Sequence, residues 1–97
     1  MKVFISQPMS GLPREQVLAE REEVVNLLES QGYEVVDSMF GFEGQDLKNE
    51  GLHYIGHSIL DMAEADAVVF VNGWRSSQRC RVEYDLAKRH KLFIKEL

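Results

Sequence analysis

The feature that most constrains this chain is the apolar run Ala67–Val71 (AVVFV), which lies between two segments of helical periodicity. A continuous run of β-favouring residues is typical of a strand buried on both faces, as in parallel sheets covered by helices. The segment that follows, Gln78–His90, again has helical spacing after the loop Gly73–Ser77. The centre of the chain therefore predicts an α/β fold.

The rest of the chain continues this alternation. We expect strands at Lys2–Ser6, Tyr33–Asp37 and Leu92–Ile94, and helices at Pro13–Gln31 and from Leu52 to near Glu64. One face of the Leu52–Glu64 helix is predicted to carry its apolar residues inward: Leu52, Ile55, Ile59 and Met62. Right-handed crossovers then predict a three-layer α/β/α fold. Its sheet would be flavodoxin- or Rossmann-like and parallel, with four or five strands in the order 2-1-3-4, within one domain over residues 1–97.

Charge and composition exclude several classes of partner. The net charge of −5 argues against binding of a nucleic acid polymer or an anionic membrane surface. A local anion site stays open, since basic residues gather in the last third: Arg75, Arg79, Arg81, Lys88, Arg89 and Lys91. The short apolar run at the N-terminus predicts neither a signal peptide nor a membrane span. With a single cysteine, we expect a cytoplasmic protein.

Glu83 occupies an unusual position for a carboxylate. On a helical wheel it falls within the arc that should face the core, beside Cys80, Val82, Leu86 and Ala87. That arc also faces the switch point between the first and third strands, where sheets of this kind bind ligands. Glu83 is thus a candidate nucleophile or general base, or else the partner of Arg79 in a helical ion pair.

Asp61 is the second candidate carboxylate. It continues a stripe with His53 and His57 along one helix, and cleavage of a glycosidic bond typically needs two carboxylates. The alternative is that this stripe is the solvated face of the helix. Three ligands at spacings of four would strain one helix face, so we expect no metal. We also expect no cofactor.

The two loops at the switch point supply polar groups. Ser6, Gln7, Ser10 and the amides near Gly11 are placed to meet phosphate or ribose hydroxyls. Ser76 and Ser77 are candidate N-caps. Trp74 is either a stacking platform for a base or a residue packed against the sheet edge, and Cys80 is predicted to be a core residue.

Three segments carry a family resemblance: VFISQPMSGLP, ILDMAEADAVVFVNGW and GWRSSQRCRVEYDLA. Together they resemble the small nucleoside 2-deoxyribosyltransferase-like proteins of bacteria and phages. The resemblance implies that Glu83 attacks the anomeric carbon of the sugar, with Asp61 lining the same site. It also implies that Ser77 and the loop Ser6–Gly11, which includes Gln7, Pro8, Met9 and Ser10, contact sugar hydroxyl or phosphate groups. To these substrate-binding candidates we add Gly73, Trp74 and Arg79 from the second loop and the start of the helix that follows it.

Two positions depart from the family pattern. Gln7 and Arg79 both stand where relatives have glycine, at places where the backbone would approach a ligand. Arg79 could narrow the pocket, hold a phosphate and so favour nucleotides, or pair with Glu83 and end the chemistry. The sequence leaves these alternatives open.

The function expected from these residues is that of a transferase or hydrolase acting on the N-glycosidic bond of a nucleoside or nucleotide. The alternatives are a nucleotide-binding module without catalysis and a structural or interaction protein of the same fold. A four-strand sheet leaves edges to cover, so we also expect a homo-oligomer. The long loop Ser38–Gly51, with Met39, Phe40 and Phe42, is the candidate for its contacts or for a lid.

Overall fold

The computed structural model describes residues 1–36, 46 and 48–97. Its strands are β1 (Lys2–Ser6), β2 (Glu34–Val35), β3 (Ala67–Phe70) and β4 (Phe93–Glu96). Its helices are α1 (Arg14–Ser30), α2 (Glu50–Ala63) and α3 (Gln78–Arg89), with a 3-10 turn at Trp74–Ser76. The strands form one parallel four-stranded sheet in the order β2-β1-β3-β4, which confirms the predicted fold class and topology.

The central strands are buried on both faces. Val3 of β1 pairs with Val35 of β2 on one side and with Ala67 of β3 on the other. Alternate residues of β1 and β3 point to opposite faces and enter two separate hydrophobic clusters. One cluster holds Val24 and Leu28 of α1, and the other holds residues of α2 and α3. The helices therefore form a layer on each face of the sheet.

A glycine ends α1. Gly32 has a φ of +89°, and its N–H donates to the carbonyl of Glu29 at 3.0 Å. The N–H of Tyr33 donates to the carbonyl of Leu28 at 3.1 Å, which completes a Schellman motif. Pro13 precedes the first helical residue as the N-cap instead of lying in the first turn.

Several predicted boundaries differ from the structure, most of them by a single residue. The second strand is limited to Glu34–Val35, and Asp37 lies outside the described residues. The last strand begins at Phe93, one residue later than predicted, and runs on to Glu96. The predicted loop Ser38–Gly51 ends earlier, because Asn49 caps α2 by accepting a hydrogen bond from the Leu52 N–H at 3.0 Å. The loop residues Met39, Phe40 and Phe42 lie outside the described part of the chain.

The predicted inward face of α2 is only partly correct. Met62 is buried and Ile55 is half-buried, but Leu52 is 64% exposed and Ile59 is 46% exposed. The line that faces the sheet runs through Ser58 and Met62, about 60° from the centre of the apolar stripe at 100° per residue. Ser58 tolerates this position because its hydroxyl donates to the carbonyl of Tyr54 at 2.9 Å. Among the described helices, none is long and apolar enough to cross a membrane.

Candidate functional site

The candidate site lies where β1 and β3 end. Because the sheet is parallel, the β1–α1 loop and the β3–α3 connection leave it at the same edge, beside the N-terminal turns of α2. A cleft of about 680 Å³ lies between these three segments. The residues that line it come from all three: Met9, Ser10, Glu50, Gly51, Tyr54, Ile55, Ser76, Ser77, Gln78 and Arg79.

Helix α3 brings a carboxylate to this edge. Ser77 caps the helix, its hydroxyl oxygen accepting a hydrogen bond from the Cys80 N–H at 3.3 Å. The fully buried line of α3 consists of Cys80, Glu83 and Ala87. Two of these side chains are small, so α3 packs closely on the sheet and Glu83 in its second turn points at β1. The inward orientation predicted for Glu83 is confirmed, and so is the core position of Cys80. Val82, predicted to share that arc, is exposed instead.

Both carboxylate oxygens of Glu83 are held. The Ser6 hydroxyl donates to Oε1 at 2.5 Å, and Nη1 of Arg79 donates to Oε2 at 2.8 Å. Glu83 has 0% solvent exposure, so these contacts replace the hydration of its charge. Both contacts are charge-assisted hydrogen bonds, and together they fix the orientation of the carboxylate plane of Glu83.

Arg79 stands between this carboxylate and the cleft. Its Nη2 donates to the backbone carbonyl of Gln7 at 2.6 Å, so the guanidinium bridges α3 and the β1–α1 loop. The side chain of Arg79 is 17% exposed and lines the cleft, whereas Glu83 is not among the lining residues. Of the alternatives left open by the sequence, the pairing of Arg79 with Glu83 is the one found in this structure.

The side chain of Gln7 stabilises the β1–α1 loop and does not line the cleft. It is buried, and its Nε2 donates to the carbonyl of Val17 on α1 at 2.9 Å. Its Oε1 has no hydrogen-bond partner among the residues that the structure describes. In this structure the Gln7 side chain therefore ties the loop to α1, and its contact with a substrate stays a prediction. The carbonyl of Gln7 contributes instead, by holding Arg79.

Trp74 belongs to the core. Its ring lies 4.6 Å from that of Tyr84 and 4.9 Å from that of Phe70, and its Nε1 donates to Glu96 at 3.0 Å. The 3-10 turn rotates the indole inward, so the packing alternative is the one found in this structure, and Trp74 does not line the cleft. Gly73 is also outside the cleft lining, with a φ of +91° that few other residues would tolerate.

The β1–α1 loop places two of its predicted residues in the cleft. Met9 and Ser10 line it, together with Ser77 and Arg79 from the other loop. Pro8 is half-buried and packs near Gly73 of the other loop: a Cβ added at Gly73 would lie 3.9 Å from the Cγ of Pro8. Gly11 has a φ of +77° in a turn that the Leu12 N–H closes on Met9. Pro8 and Gly11 thus shape the loop around the two residues that reach the cleft.

The structure does not bring Asp61 to the cleft. Helix α2 runs antiparallel to the strands, so only its N-terminal turns reach the switch point, and Asp61 lies about 10 Å along the axis beyond Tyr54. Asp61 is partly exposed, and His53 and His57 are exposed. Within the described residues, no group of three or more His, Cys, Asp and Glu side chains could hold a metal ion.

Helix α2 contributes a wall of the cleft that was not predicted from the sequence. Glu50, Gly51, Tyr54 and Ile55 line the cleft from that side, and Ser76 and Gln78 were not assigned to substrate binding either. The topology itself carried the signal. In a sheet of order 2-1-3-4, every helix begins at the edge where the strands end, so the first turns of α2 and α3 necessarily border the switch point.

Comparison with known proteins supplies a family. No curated protein and no solved structure matches the chain significantly. The family model described as "Domain of unknown function (DUF4406)" matches residues 1–96, from β1 through β4. The matched range contains Ser6, Gln7, Arg79 and Glu83 together with every described residue that lines the cleft. The chain therefore belongs to the DUF4406 family.

Proposed function

We propose that this protein is a transferase or hydrolase that acts on the N-glycosidic bond of a nucleoside or nucleotide, with Glu83 as its nucleophile. The observation that carries the proposal is a fully buried carboxylate at the switch point, held on both oxygens beside a cleft. Burying a charge destabilises a fold unless its contacts compensate, and such groups concentrate at functional sites. The resemblance to nucleoside 2-deoxyribosyltransferase-like proteins supports the same assignment for Glu83.

The chemistry suits these residue types. A carboxylate oxygen of Glu83 forms a bond to C1′ of the sugar while the C1′–N bond breaks, and that bond's electron pair leaves with the base. The base gains a proton, which we assign to solvent in the cleft, since Asp61 lies outside it. Water or an acceptor base then attacks C1′, loses a proton and releases Glu83. The carboxylate stabilises the oxocarbenium-like transition state of both steps.

Ser6 has the role of a positioning residue in this scheme. It is wholly buried and holds Oε1 of Glu83, which leaves Oε2 as the oxygen assigned to the attack. The side chain that holds Oε2, Arg79, lines the cleft in which the sugar would bind. Met9, Ser10 and Ser77 supply further groups around that space.

Replacement of the nucleophile tests the proposal. We expect Glu83→Gln to lower base release from deoxynucleosides or deoxynucleoside 5′-monophosphates by on the order of 10³-fold or more. Free base is measured by chromatography, and thermal unfolding checks that the variant is folded. Glu22→Gln, on the exposed side of α1, is the matched control and should keep full activity. Undiminished base release by folded Glu83→Gln would remove Glu83 from the mechanism.

A nucleotide-binding module without catalysis is the second candidate. It is favoured by one observation, the ion pair that occupies Oε2 of Glu83 and closes it from the cleft. This alternative predicts saturable binding of nucleotides by calorimetry, with no base released after long incubation. If no nucleoside or nucleotide raises the melting temperature, a structural or interaction role replaces both candidates.

Assembly and location complete the proposal. We propose a homo-oligomer, since α2 exposes Leu52, Ile59 and Leu60 and the sheet leaves its outer strand edges unpaired among the described residues. Sedimentation velocity at several protein concentrations measures this directly. A cytoplasmic location is proposed from the single cysteine, Cys80, which is free and buried.

A further inference from the structure

The guanidinium of Arg79 is held by groups that a ligand can replace. It donates to Oε2 of Glu83 at 2.8 Å and to the carbonyl of Gln7 at 2.6 Å. The same side chain lines the cleft beside the hydroxyl-bearing residues Ser76 and Ser77. Arg79 can therefore reach an anion bound in the cleft, although it is already paired with the buried carboxylate of Glu83.

We propose that Arg79 makes the site selective for substrates that carry an anionic group such as a 5′-phosphate, and that binding this group draws Arg79 away from Glu83. Phosphate accepts two parallel hydrogen bonds from an arginine, so it can replace both present contacts of the guanidinium. The departure of Arg79 then opens Oε2 to the sugar. The role of this opening in catalysis rests on the proposed function. The competition between the phosphate and the Glu83 carboxylate for Arg79 does not, because it occurs without any reaction.

A neutral nucleoside meets a different site. It carries no anionic group to offer the guanidinium in exchange for the Glu83 carboxylate, so the ion pair between Arg79 and Glu83 stays in place. Glu50, in the first turn of α2, lies on another wall of the cleft and repels an anion there. The phosphate is thereby directed to the α3 side, where Arg79 lies.

Calorimetric titration tests this competition. Three proteins are compared: wild type, Arg79→Met and Glu83→Gln. We titrate into each of them the four common deoxynucleoside 5′-monophosphates and, separately, the four parent deoxynucleosides. We expect wild type to bind the best monophosphate about 10-fold or more tighter than its nucleoside, and Arg79→Met to lose that preference. Glu83→Gln should bind the monophosphate about 10-fold tighter than wild type, because no carboxylate then competes for Arg79.

Two further variants keep the test decisive. Arg81→Met, exposed on the same helix, is the matched control and should leave both affinities unchanged. If Arg79→Met fails to fold, Arg79→Lys takes its place: lysine keeps the charge but lacks the two-pronged geometry, so the preference should fall below that of wild type.

Specific results would overturn the inference. These are equal affinity of wild type for monophosphate and nucleoside, no binding of any monophosphate, a preference that survives in folded Arg79→Met, or an unchanged affinity in Glu83→Gln. Base release is assayed separately on the same samples. A wild type that prefers monophosphates but releases no base supports the selectivity of Arg79 and contradicts the proposed catalysis.

Discussion

Helices α2 and α3 cover the same face of the sheet, yet one exposes leucines and the other buries a charge. The buried line of α3 contains Glu83 between Cys80 and Ala87. On α2, only Ser58 and Met62 are buried, while Leu52 and Leu60 are 64% and 67% exposed. Hydrophobicity alone therefore does not decide which residues of this layer face inward.

The contacts of each helix explain the difference. Glu83 is tolerated inside because Ser6 and Arg79 provide the hydrogen bonds that water would otherwise make. An exposed leucine forgoes about 1.5–3 kcal/mol relative to full burial, so Leu52 and Leu60 contribute little to the stability of an isolated chain. The comparison indicates that α3 is organised around the site, whereas the outer face of α2 is available to other molecules.

The largest loss of stability is expected when Arg79, the partner of the buried Glu83 carboxylate, is replaced. We expect Arg79→Met to lower the free energy of unfolding by about 3 kcal/mol, because it leaves the Glu83 carboxylate buried without its cation. The measurement is urea unfolding at neutral pH. Arg81→Met, on the exposed side of α3, should change stability by no more than about 0.5 kcal/mol. Equal effects of the two variants would show that the ion pair carries no special stability.

A smaller loss is expected at the other oxygen of Glu83. Ser6→Ala removes a hydrogen bond to a buried charge and should lower the free energy of unfolding by about 1.5–3 kcal/mol. Ser10→Ala, on the exposed loop, serves as the control and should be close to neutral. If both serine variants unfold at the same urea concentration as wild type, Ser6 does not hold Glu83.

The smallest effect is expected on the outer face of α2. Leu60→Ala should change the free energy of unfolding by no more than about 0.5 kcal/mol, since Leu60 is 67% exposed. Met62→Ala, on the inward line of the same helix, should cost about 2 kcal/mol or more. Unfolding is measured in dilute protein. If the protein is dilute enough for the proposed homo-oligomer to dissociate, a cost for Leu60→Ala equal to that of Met62→Ala would show that Leu60 is covered within a single chain.

The topology and the position of Glu83 could be predicted because both follow from periodicity. The apolar run at Ala67–Phe70 and the spacing on α3 each depend on local sequence, and right-handed crossovers then give the strand order. Gly32 was predictable for the same local reason, as a residue that readily adopts a positive φ.

The remaining features depend on tertiary packing that periodicity does not encode. The rotation of α2 puts Ser58 inward, which no hydrophobic pattern predicts because its hydroxyl is satisfied within its own helix. Trp74 turns inward through a 3-10 turn that was predicted as loop. Gln7 contributes its backbone carbonyl to the site, and a backbone group leaves no signal in the residue type.

The most direct test of the account is the mass of the protein after reaction with its substrate. Wild type is mixed with the deoxynucleoside 5′-monophosphate that it binds most tightly, quenched in acid and analysed by intact and peptide mass spectrometry. The account predicts an adduct equal to the sugar phosphate without its base, located on the peptide that contains Glu83 and absent from Glu83→Gln. Base release without any adduct on that peptide, or an adduct that persists in Glu83→Gln, would contradict it.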